Sequence, residues 1–116
     1  MKFKLIVALV DDHQTGTVLK TAREGGATGA TVITSARGEG LKPAKTFFGL
    51  DLEAQRDMVL LLVEAHLSRR IIEAIAKACE FDETPGTGIA FQVDIEDAVG
   101  LSSQIGTISS EIEEEI

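Results

Sequence analysis

Two glycine pairs, Gly38/Gly40 and Gly86/Gly88 around Thr87, are the positions in this chain best suited to meeting a ligand with backbone amides. Glycine has no side chain to hold an anion away, and successive N–H groups in a glycine-rich turn form an anion-binding nest. A tight helix-to-strand turn would call for the same glycines whatever the function. Next to the first pair, Arg37, Lys42 and Lys45 stand with a single acid, Glu39, in a chain of formal net charge −8. A cationic loop on an acidic protein suits an anionic ligand or a partner's carboxylates, and a solvated loop is the alternative. Phe47 and Phe48 are adjacent, so one of them, Phe48 for instance, could anchor a partner. The simpler expectation is that both pack under the base of the loop.

Other chemistries find little to work with. No nucleophile elbow, paired cysteine or metal-ligand motif is present, so no catalytic residues are assigned and the chain reads as a non-enzyme without an intrinsic cofactor. His13 and His66 each open a helical segment, far apart in sequence, and read as surface histidines. Asp94, Glu96 and Asp97 lack the glycine turn and spacing of a calcium loop and read, with the terminal glutamates, as a solvated face and tail. Cys79, the sole cysteine, lies on an apolar helical stripe and reads as a buried, inert thiol. Nucleic-acid binding needs a basic face, and none is apparent in this acidic chain. The apolar run Leu5 to Val10 stops at Asp11-Asp12, too short for a signal-peptide core or a membrane span, which leads to the expectation of a cytoplasmic protein.

The elements that must position these residues follow from periodicity. With 116 residues, 44% of them hydrophobic and 26% charged, the chain suits one folded domain. Phe3 to Val10 reads as a buried strand, and His13 to Glu24 as a helix capped by Asp12 or Thr15 and ended by Gly25-Gly26. Ala30 to Ser35 has strand composition, and Arg37 to Ala44, with Gly38, Gly40 and Pro43, opens a loop. Met58 to Glu64 reads as a central strand feeding a helix over Ala65 to Phe81, with Leu67, Ile71, Ile72, Ile75, Ala78 and Cys79 at helical spacing. After a loop from Asp82 to Gly88, Ile89 to Val99 reads as the last strand, with Phe91, Val93 and Ile95 on one face. The order βαββαβ is that of a ferredoxin-like α+β sandwich, a four-stranded antiparallel sheet with two helices on one face. Its other face is too apolar for water, so oligomerisation is expected. Residues 102–116, with Ile105, Ile108 and Ile112, read as an acidic tail or short amphipathic helix beyond a domain of residues 1–101.

On this pattern the chain resembles the P-II signal proteins and their P-II-like relatives. The resemblance rests on Gly29-Ala30-Thr31-Val32 followed by Arg37-Gly38-Glu39-Gly40, on Phe48-Gly49-Leu50 leading into Met58 to Val63, and on Gly86-Thr87-Gly88-Ile89-Ala90-Phe91. It covers nearly the whole chain. It implies a homotrimer, concerned in its relatives with nitrogen regulation, that binds an effector such as ADP, AMP or ATP, or another small anion, between subunits and controls a membrane transporter or metabolic enzyme. The implied T-loop spans about Arg37 to Gln55 and the B-loop surrounds Gly86-Thr87-Gly88. Carried over, Arg37, Gly38, Gly40, Gly86, Thr87 and Gly88 would line the cleft, with Thr28 and Thr31 contributed by the neighbouring subunit, while Lys42, Lys45 and Phe48 would face ligand anions or the partner. Typical members place a lysine after the last B-loop glycine and two arginines beyond the fourth strand, where this chain has Ile89 and then Gly100, Leu101 and Ser102. Arg37, Lys42 and Lys45 are the available substitutes. The chain has no tyrosine, which excludes tyrosine nucleotidylation. Two other readings share the fold: a divalent-metal-binding trimer like the CutA cation-tolerance proteins, and a small ferredoxin-like enzyme such as an isomerase.

Overall fold

The computed structural model describes residues 2–36, 46–47, 50–51 and 55–100. Strand β1 (Phe3–Asp11) leads through a 3-10 turn (Asp12–Gln14) into helix α1 (Thr15–Glu24), and β2 (Thr31–Ala36) follows. Two short strands, β3 (Thr46–Phe47) and β4 (Leu50–Asp51), pair with each other. Then come β5 (Arg56–Glu64), α2 (Ala65–Ala78) and β6 (Gly88–Asp94). The main sheet has the order β2-β5-β1-β6, and every neighbouring pair is antiparallel. With both helices on one face, this is the expected ferredoxin-like α+β sandwich.

Alternation along the central strands decides which face is which. Ile6, Ala8 and Val10 of β1 and Val59, Leu61 and Val63 of β5 meet Val18 and Ala22 of α1 and Ile71, Ile75 and Cys79 from α2 in one buried cluster. Each large aliphatic side chain there contributes about 1.5–3 kcal/mol. Their sheet neighbours point the other way. Leu5 pairs with Leu62 and Val93, Val7 with Leu60 and Phe91, and Leu9 with Met58 and Ile89, which makes a second, mainly apolar face that neither described helix covers. On it Ile33, Leu62, Phe91 and Val93 are 45%, 39%, 45% and 44% exposed.

Both helices end on Schellman motifs. Gly26, at φ 109°, lets its N–H bond Arg23 O while Ala27 N–H bonds Ala22 O. At the end of α2, Glu80 takes the same left-handed role at φ 56°, with Glu80 N–H on Lys77 O and Phe81 N–H on Ala76 O. The helix therefore stops at Ala78 rather than Phe81, and Ala78 is exposed rather than part of the apolar stripe.

The start of α1 also differs from expectation. Neither Asp12 nor Thr15 caps it: Gln14 is the N-cap residue, without a side-chain bond, and Thr15 Oγ1–H donates instead to Asp57 Oδ2 at 2.6 Å. That bond joins α1 to β5 and satisfies a buried carboxylate, which outweighs a local cap. Strand β6 stops at Asp94, so Ile95 lies beyond it and holds on through one bond from its N–H to Phe3 O at 3.4 Å. The tail, residues 102–116, lies outside the described residues.

Candidate functional site

Four strand ends meet at one end of the sheet. In the sheet register Ala36, the last residue of β2, pairs with Arg56, the first of β5, and Arg56 pairs with Asp11, the last of β1. One residue further in, Val10 pairs with Gly88, the first of β6. The chain therefore leaves β2, returns into β5 and enters β6 at the same end of the sheet, which brings the root of the long 37–55 segment beside the glycine loop before β6. A register shift between Ile33 and Ala36, with Ser35 at φ 60°, bends β2 just before that exit.

The glycine loop is built by contacts within itself and to β5. Thr84 N–H bonds Glu80 O at 2.9 Å, and the Thr87 hydroxyl lies 3.0 Å from Thr84 O and 3.2 Å from Glu80 O. Gly86 has φ 82°, the left-handed region open to glycine. Gly88 serves packing. It is buried, and a Cβ there would lie 2.6 Å from Leu9 O and 2.7 Å from Phe81 Cε1.

Arg56 is the residue of this corner that composition alone did not single out. Its side chain is 4% exposed as a residue, and Nη1 lies 2.5 Å from Asp11 Oδ1 and 3.0 Å from Gly86 O. The strand was expected from Met58 and begins two residues earlier, at Arg56. Both added residues are buried: Arg56 is neutralised by Asp11 and tied to Gly86, and Asp57 accepts from Thr15. Asp11 is 27% exposed at the side chain, so removing one partner costs less than the about 3–5 kcal/mol of a fully buried pair.

The remaining candidates are placed as follows. Thr28 and Thr31 are exposed, at the start of β2, which lies at the opposite sheet edge from β6. With two strands between them and about 4.8 Å per strand, they stand roughly 14 Å across the sheet from β6, and Thr31, level with Phe91 in the register, is also displaced along the strands from Gly88. Each side opens its own cleft. One of about 540 Å³ runs between Phe81, Asp82, Pro85, Gly86, Ile89 and Ile72, and one of about 430 Å³ includes Thr28, Arg23, Leu19 and Leu61. One protomer thus does not bring the threonines to the glycine loop. The first cleft's cation, Arg69, is already paired with Glu73 at 2.6 Å. Arg37, Gly38, Gly40, Lys42, Lys45 and Phe48 lie outside the described residues.

The histidines are exposed, as expected; His66 Nε2 lies 3.4 Å from Glu64 Oε2. Among the described residues no group of three or more His, Cys, Asp and Glu is arranged to hold a metal ion. Cys79 is buried, and desolvation pushes its thiol above its ordinary value of 9.0. Among the described residues no helix is long and apolar enough to cross a membrane.

The family model for nitrogen regulatory protein P-II matches residues 3–104. The chain belongs to the P-II family. The fold agrees. A PII-like signalling protein of Thermus thermophilus superposes with a TM-score of 0.61 at 21% identity, covering 82% of this chain and 88% of that one. CPII of Thiomonas intermedia, bound to ADP, AMP and acetate, gives 0.65 at 16% identity over 86% and 92%. CPII bound to ADP and bicarbonate gives 0.60 at 15% identity over 82% and 87%. No curated protein matches the sequence. The β3–β4 ladder falls between β2 and β5, where no strand was expected. Two-residue strands carry no readable period.

Proposed function

We propose that this P-II family member is a homotrimeric regulator that binds an adenine nucleotide between subunits and relays its state, through the T-loop, to a transporter or enzyme. The observation that carries this reading is the apolar sheet face left open beside the B-loop. Exposed aliphatic and aromatic side chains on a central sheet need a cover, and copies of the same chain supply one. A neighbouring copy also resolves the separation within one protomer, because its Thr28 and Thr31 can face the B-loop that their own subunit keeps at the opposite edge. The structural likeness to CPII bound to ADP and AMP supports a nucleotide as the effector. With Ile89 in place of a lysine, charge for its phosphates comes from Arg37, Lys42 and Lys45 on the T-loop, with Arg56 adding a fixed positive group behind Gly86. The same three T-loop cations and Phe48 serve the partner. Residues 1–101 form the signalling domain, residues 102–116 its acidic tail or short helix, and the protein works in the cytoplasm as a non-enzyme.

Light scattering and calorimetric titration with ADP, AMP, ATP, cyclic AMP and bicarbonate test this. The expected result is three protomers per particle and saturation near one nucleotide per protomer, weakened by the triple change of Arg37, Lys42 and Lys45 to Ala. A ligand at a hundred times its Kd stabilises by about 2.7 kcal/mol, so thermal shift serves as a check. A monomer, or no response to any nucleotide, overturns the reading.

A further inference from the structure

We propose that Arg56 is a positioning residue that holds the B-loop in its ligand-ready form through the Gly86 carbonyl. This rests on the reading of the B-loop as a nucleotide contact. Arg56 occupies the middle of the strand-end row, between Ala36 at the T-loop exit and Asp11. Its side chain reaches the B-loop from the sheet, with Nη1 3.0 Å from Gly86 O and 2.5 Å from Asp11 Oδ1. Its Nε is buried without a hydrogen-bond partner.

A buried donor left unsatisfied is an unfavourable arrangement, and the bonds that Nη1 makes compensate for it. A trans peptide is planar, with its C=O and N–H on opposite sides. A Gly86 carbonyl held against the guanidinium therefore turns the Thr87 N–H away from Arg56, toward the open side of the loop. Gly86, at φ 82°, would otherwise let that peptide swing. Arg56 thus selects one orientation of a nest donor, and the same residue starts β5 where the T-loop returns. The B-loop and the T-loop root share one guanidinium.

Arg56→Gln alone leaves Asp11 unpaired and risks unfolding, so the decisive variant is the double change D11N/R56M, which removes both charges. Hydrogen exchange in the full-length, ligand-free protein reads the loop directly, and ADP titration reads its consequence. The expected result is about 10-fold or faster exchange at residues 84–88 with α1 and α2 unchanged, and ADP affinity lower by about 10- to 100-fold. Arg56→Lys recovers part of both. Thr15→Val, which breaks the bond to Asp57 at 2.6 Å, lowers the melting temperature but leaves B-loop exchange as in wild type. A folded D11N/R56M protein with wild-type exchange at 84–88 overturns the proposal. If wild-type protein binds no nucleotide, the functional reading fails, while the exchange result still decides whether Arg56 holds the loop.

Discussion

Adding one methyl group at Gly88 separates the two roles a B-loop glycine can have, ligand contact and packing joint. A Cβ there meets Leu9 O at 2.6 Å, Phe81 Cε1 at 2.7 Å and Val10 Cγ1 at 3.0 Å. The nearest atom is a backbone oxygen of β1, a strand held by ladders on both sides, so it cannot step aside. Overpacking costs typically about 1–3 kcal/mol, and with backbone as the obstacle Gly88→Ala belongs at the upper end, about 3 kcal/mol. Gly16 in α1 supplies the opposite control. Nothing lies within 4 Å of its Cβ position, and Gly16→Ala is expected to stabilise by up to about 0.5–1 kcal/mol through helix propensity. Urea unfolding followed by far-UV circular dichroism measures both, at one fixed protomer concentration because assembly makes the midpoint depend on it. A loss of about 3 kcal/mol lowers the midpoint by about 1–2 M. A Gly88→Ala midpoint within about 0.2 M of wild type would refute the steric reasoning. Loss of ADP affinity at an unchanged midpoint would make Gly88 a ligand contact instead.

The left-handed Glu80, at φ 56°, holds the α2 Schellman turn at the expense of a Cβ clash, so Glu80→Gly should stabilise by about 1 kcal/mol and raise Tm by roughly 4 °C. Leu62→Glu or Phe91→Glu places a charge on the open sheet face and should yield monomers by light scattering with helical dichroism retained; unchanged trimers would rule out that face as the subunit contact. Cys79 is fully buried, and desolvation raises its thiol above 9.0, so the folded state keeps the proton longer than the unfolded chain. Its contribution to stability is complete below that value and is lost as pH rises toward and through the raised folded one. Thiol labelling should track urea unfolding, and fast labelling of native protein would contradict the burial.

Strong periods were legible in the sequence and weak ones were not. The β1 and β5 runs and the α2 stripe carried enough apolar repetition to fix element type, and their order implied the sandwich. Boundaries failed where tertiary contacts overrode local preference. Thr15 gave up a cap to satisfy Asp57, Glu80 took a glycine's conformation and ended α2 early, and Arg56 and Asp57 joined a strand although both are charged. Charged residues at the head of an apolar run carry no local strand signal, because their partners, Asp11, Gly86 and Thr15, are distant in sequence. The glycine positions of the B-loop were legible as a turn. That Gly88 is a packing joint and Gly86 a held carbonyl follows from Leu9, Phe81 and Arg56, which no local pattern links to them.

The two sheet faces divide the work. Residues of one parity along β1 and β5 build the core with α1 and α2, and those of the other parity build the open face that ends in Asp11 and Arg56. In the proposed trimer, assembly and ligand binding would therefore be coupled by geometry. Copies covering the open face would press against the strands whose ends carry the B-loop, and a nucleotide held between B-loop and neighbouring threonines would bridge two subunits. Such a ligand binds the assembled form alone, so it must stabilise assembly by the free energy with which assembly favours it. Dilution of the apo-protein should then dissociate trimers at a protomer concentration that saturating ADP lowers. A dissociation midpoint indifferent to ADP that still binds would place the nucleotide within one protomer, at the cleft bounded by Phe81, Asp82 and Gly86.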